Sequence, residues 1–139
     1  MTTLIRPEVS KRNKYWIDKH RHYELKHFCL QYPVWKKEYE AYTNIGPNLS
    51  KFEELYSSNM PSDSTANWVV KRSYYSEKIE LIENTAREAD ESLYIYILKA
   101  VTEGLSYTKL KARLDIPCGR EMFYDRYRRF FWLLNRSRN

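Results

Sequence analysis

Between Thr65 and Ala89 the chain contains neither glycine nor proline, and Tyr75, Ile79, Ile82, Ala86 and Ala89 recur at intervals that alternate between four and three residues. That rhythm places one apolar stripe along an α-helix of about seven turns and is incompatible with a strand, whose side chains alternate every second residue. A helix of that length constrains everything around it. Only 3 glycines occur in 139 residues, so sharp turns are few and the rest of the chain has to be built from helices as well. The stripe also suits a short two-chain seam, which makes a homodimer a candidate assembly alongside packing within the chain itself.

Helix signals recur on both sides. Residues from about 10 to 30 read as a first helix, with Ser10 as N-cap and a face formed by Trp16, Tyr23, His27 and Leu30. Tyr32-Pro33 ends it, because proline biases the preceding residue away from helix. A second helix is expected over Val34 to Tyr42, and Ser50-Lys51-Phe52-Glu53 has the pattern of a capping box that opens a short helix to about Tyr56. Ser57 to Ser64, rich in serine, is the clearest internal loop and divides residues 1–60 from 62–139. Beyond the long helix, Asp90 or Ser92 can cap a helix to Glu103, Gly104 stops it, and Ser106 opens a short helix to Leu114. Asp115-Ile116-Pro117-Cys118-Gly119 forms a turn before a last helix to about Asn135. The expected fold is all-α: a helical N-terminal region, a long central helix and a C-terminal tri-helical helix-turn-helix.

Charge singles out one end. Residues 1–98 carry 14 basic and 14 acidic side chains, whereas residues 99–139 carry 10 basic and 4 acidic ones, so the net +6 of the chain resides in the last 41 residues. A neutral body with one basic end points to a polyanion contact at that end. On the last helix, Phe123, Tyr127, Phe130, Phe131 and Leu134 share the face expected to be buried, and the run 130–133 is apolar around most of the helix, which calls for cover from the long helix or a second subunit. The other face offers Arg120, Glu121, Tyr124 and Arg128 as base-reading side chains, since arginine can grip guanine O6 and N7 and a carboxylate can accept from cytosine N4. Lys109, Lys111, Arg113, Arg126 and Arg129 are assigned to phosphates, where they would fix register.

The run SYTKLKARLDIPCGREMFYDRYRRFFWLL, ending at Leu134 and preceded by Ser64-Thr65-Ala66 and the long helix through Ala86, resembles the phage-encoded late-gene transcriptional activators of the ArpU and RinA type from Gram-positive bacteria and their prophages. The resemblance covers about residues 62–137. It implies C-terminal helices similar to region 4 of sigma factors, residues 119–129 as recognition helix, promoter DNA as partner with RNA polymerase as a candidate second one, and activation of packaging and lysis genes in the cytosol of a bacterial host. Two departures stand out: Asp115 occupies the position that usually carries the turn glycine, and the stretch 116–119 is one or two residues longer than the common turn. Segment 1–60 takes no part in the resemblance, so a fragment from about residue 62 is expected to bind duplex DNA alone. A DNA-packaging protein of the small-terminase kind and a helical module that binds protein rather than DNA are the alternative readings.

Other chemistry is sparse. Phosphate-binding glycine loops, nucleophile motifs and paired catalytic carboxylates do not occur, so the chain reads as a binding protein that is no enzyme and needs no cofactor. His20, His22, His27 and Cys29 cluster, but on a helix 20 and 27 share one face while 22 and 29 share another, so four ligands cannot converge and no metal site is expected. Cys118 reads as a small turn residue. Hydrophilic composition, with mean hydropathy −0.77, argues against membrane spans, and an N-terminus without a signal-like apolar run, with only two cysteines, argues for the cytosol.

Overall fold

The computed structural model describes residues 11–45 and 64–138. Among these the chain is all-helical, with six helices: α1 (Lys19–Leu30), α2 (Tyr32–Ile45), α3 (Ser64–Ala89), α4 (Tyr94–Glu103), α5 (Tyr107–Leu114) and α6 (Arg120–Ser137). None of the described helices is long and apolar enough to cross a membrane. Ser10 and the expected short helix at 50–56 lie outside the described residues.

Two compact units emerge, and their boundary differs from the division at residue 60. One joins the chain up to Tyr32 with everything from Leu81 onward, and the other is Pro33–Glu80. The reason is that α1 packs on both α4 and α6, while α5 bridges the same two helices. The expectation that Phe130–Leu133 would be covered by the long helix or a second subunit is met differently: Phe131 lies 4.9 Å from the ring of His22 on α1, and Trp132 lies 5.7 Å from Tyr15. At the centre of this unit Leu25, Ile82, Ile97, Leu110, Phe123 and Phe130 are fully buried. Burying each such side chain contributes about 1.5–3 kcal/mol, so α1 is part of the core and no appendage.

Helix α1 starts at Lys19, nine residues later than the periodicity suggests. Asn13 is responsible for part of this: its side-chain oxygen accepts from the Tyr15 amide at 2.8 Å, a local bond that competes with helix. Asp18 then takes the N-cap position with extended backbone and accepts from the His20 amide at 3.0 Å. The buried face is accordingly His22, Leu25, Phe28 and Cys29, whereas of the anticipated face Trp16 precedes the helix and His27 is exposed. His20 and His27 point to solvent while His22 and Cys29 are buried, and among the described residues no three His, Cys, Asp or Glu are placed to hold a metal ion. Burial pushes the Cys29 thiol far up, opposed weakly by Arg138.

Among the described residues, the other unit holds α2 and the first part of α3. Helix α2 begins with Tyr32-Pro33, where proline's missing N–H falls in the first turn and costs no hydrogen bond. Tyr42 stacks on Tyr75 at 6.0 Å, and Arg72 lies 5.7 Å from the Tyr39 ring and 5.9 Å from Trp68. Helix α3 matches its expected extent within a residue, and Ile79, Ile82, Ala86 and Ala89 of its stripe are buried within the chain. Those positions are therefore not free to form a seam with a second copy.

Asp115 resolves the glycine departure noted in the sequence. It caps α5 in the left-handed conformation, with φ 49° and ψ 53°, and its amide donates to the Lys111 carbonyl at 3.1 Å. Aspartate is one of the few non-glycine residues that adopts this region at modest cost. We expect Asp115→Val to destabilise the protein by about 1–2 kcal/mol through backbone strain, and Asp115→Gly to be tolerated. Equal urea midpoints for the two variants would contradict this account of the turn.

Candidate nucleic-acid interface

Helix α5, the turn and α6 are locked together by bonds that involve few side chains. The Ser106 hydroxyl caps α5 by accepting from the Lys109 amide at 3.3 Å. The Tyr107 amide donates to the Tyr124 hydroxyl at 3.2 Å, and the Tyr107 hydroxyl donates to the Cys118 carbonyl at 2.6 Å. Beneath them Leu110, Ile116 and Phe123 are fully buried. The start of α6 is thereby fixed against the start of α5, while Arg120, Glu121 and Met122 remain exposed. A helix presented by its first turn, with its remaining length held in a core, is the arrangement in which a recognition helix offers side chains to base edges.

The four side chains assigned to bases divide. Arg120 is exposed and oriented: its Nη2 donates to Thr108 Oγ1 at 3.1 Å and its guanidinium lies 5.1 Å from the Tyr107 ring. Glu121 is exposed in the first turn, where a negative charge is favoured by the helix dipole. Tyr124 is half-buried, packed 5.0 Å from Phe123, with its hydroxyl already accepting from the Tyr107 amide, so its visible role is to hold α5 on α6. Arg128 is half-buried, and its Nε is buried without a hydrogen-bond partner among the described residues. Met122, 43% exposed, was missed by reading charge alone. The available signal was its position in the first turn, off the apolar face.

The five cations assigned to phosphates divide as well. Lys109 and Arg113 are exposed and form no ion pair among the described residues. Lys111 pairs with Asp115 at 3.1 Å, and hydrogen bonding to that carboxylate raises its pKa. Arg126 is committed inside the fold: it bonds Asp90 at 2.8 Å and also pairs with Asp125. Burial pushes the Asp90 carboxyl up, but hydrogen bonds from Ser92, Arg126 and the Leu93 amide outweigh it and hold it below the usual carboxylate range. Arg126 therefore ties α6 to the α3–α4 turn, and its charge is neutralised. Arg129 donates to the Tyr15 hydroxyl at 3.3 Å, which anchors the segment before α1.

The two units also differ in charge. The unit built from Met1–Tyr32 and Leu81–Asn139 has 18 Lys and Arg against 11 Asp and Glu, whereas Pro33–Glu80 has 6 against 7. All of the excess positive charge thus belongs to the unit that contains α5 and α6. No protein-family model matches this chain, and no curated protein or solved structure is significantly similar to it.

Proposed function

We propose that the protein is a sequence-specific, double-stranded DNA-binding regulator of transcription, acting in the cytosol by binding rather than catalysis. In this reading the first turn of α6 enters the major groove. The observation that carries it is the fixed presentation of Arg120 and Glu121 at the start of α6, next to a left-handed turn at Asp115 and to Lys109 and Arg113, which are exposed and form no ion pair among the described residues. Arginine there can read guanine, glutamate can accept from cytosine, and the flanking cations can hold phosphates. The resemblance of residues 62–137 to phage late-gene activators supports a phage or prophage origin and activation of late genes.

Sequencing the DNA retained by the intact protein at moderate salt gives the site. On that site Arg120→Ala is expected to cost about 1–3 kcal/mol at one base position. Lys109→Ala should weaken all sequences alike and lower the salt slope by about one contact. Absent or salt-insensitive binding to duplex DNA would refute the reading, because every phosphate contact releases counterions.

A further inference from the structure

The first turn of α6 presents one side chain that can neither pair with a phosphate nor donate to a base. Arg120, Glu121 and Met122 are all exposed there, and Met122, at 43%, is among the exposed large hydrophobic side chains of the described residues. Its direction is set by the residue that follows. Phe123 is fully buried, with the rings of Tyr107, Tyr124 and Tyr127 at 6.0, 5.0 and 5.9 Å, so α6 is not free to turn about its own axis. At 3.6 residues per turn, or about 100° per residue, Glu121 and Met122 each lie at least about 80° from every buried position of the helix, namely Phe123, Tyr127, Phe130, Phe131 and Leu134. The two therefore occupy neighbouring directions on the open side of the same turn.

An apolar side chain at this place has few partners in a groove. Base edges in the major groove offer hydrogen-bond donors and acceptors and a single apolar group, the C5 methyl of thymine. Glu121 has a carboxylate for a cytosine amino group, whereas a thioether is only a weak acceptor and offers nothing to a base carbonyl. Phosphate oxygens gain nothing from it either, and lose water where it covers them. Contact with a methyl group instead removes apolar surface of both partners from water. The unbranched methionine chain, with three rotatable bonds, can follow that methyl without a shift of the helix.

We propose that Met122 is a specificity-determining residue that recognises the C5 methyl of a thymine next to the base read by Glu121, an inference that rests on the DNA-binding reading above. The test uses the intact protein and its selected duplex site, in which each thymine is replaced in turn by deoxyuridine. That change removes the methyl and leaves every hydrogen-bonding group in place. Wild type is expected to lose affinity about fourfold at one thymine, the worth of burying one methyl-sized group. Met122→Ala should bind the thymine and deoxyuridine duplexes equally, and Met122→Leu, which keeps an apolar group there, should retain the preference. A wild type that binds its site but is indifferent to deoxyuridine at every thymine would overturn the methyl contact alone. So would a penalty of the same size in Met122→Ala, which would mark an effect of the methyl on the DNA itself. A wild type that binds no duplex DNA would overturn the contact together with the reading it rests on.

Discussion

Contrary to the expectation from the sequence, a fragment beginning at residue 62 is expected not to fold cooperatively, and therefore not to bind DNA as an independent module, because α1 packs on α4 and α6. Its loss would include Tyr15, Ile17, Leu25 and Phe28, all buried. At about 1.5–3 kcal/mol for each buried apolar side chain, these four contribute about 6–12 kcal/mol, comparable with the whole stability of a domain this size, about 5–15 kcal/mol. Truncation would also strip the cover from Phe131, which His22 of α1 contacts at 4.9 Å. Circular dichroism with urea titration provides the check. A fragment that melts in a single sharp transition near that of the intact chain would show that α1 is dispensable to the core.

Phe123→Ala should be the most damaging single truncation at the junction of α5 and α6, costing about 3–5 kcal/mol. The ring is fully buried, with Tyr107, Tyr124 and Tyr127 at 6.0, 5.0 and 5.9 Å. Those neighbours are tied down by their own bonds, Tyr107 to Cys118 and Tyr124 to the Tyr107 amide, so the cavity cannot close by a simple collapse. Met122→Ala, one residue away and exposed, should change stability by less than about 0.5 kcal/mol. If the urea midpoints of the two variants fell together, the packing account of the junction would fail.

Much of the architecture is legible in the residues. The stripe from Tyr75 to Ala89, the stops at Gly104 and Asp115, and the apolar face of α6 all follow from local periodicity and turn chemistry. Gly104 ends α4 in the left-handed conformation at φ 70°, as a glycine just past a helix should. The start of α1 was not legible, because an aromatic-rich run such as Tyr15-Trp16-Ile17 fits a helix and an extended anchor equally well. Only the bonds made by Asn13 and Asp18 select the second.

By itself, the sequence determined the helical class, the approximate helix boundaries from α3 onward and the total charge. Tertiary structure decided which charges are paired within the fold and which stand exposed. Arg126 disappears into ion pairs with Asp90 and Asp125, Tyr124 becomes a strut between helices, and Tyr15 comes to rest on Arg129. The physical reason is one of range. Helix periodicity is set by neighbours three and four residues apart, whereas the state of a charge depends on whichever group lies within a few ångströms. Asp90 is 36 residues from Arg126, and Tyr15 is 114 from Arg129. No local pattern records those encounters, because it is the packing of α6 against both α1 and α4 that brings the distant partners together.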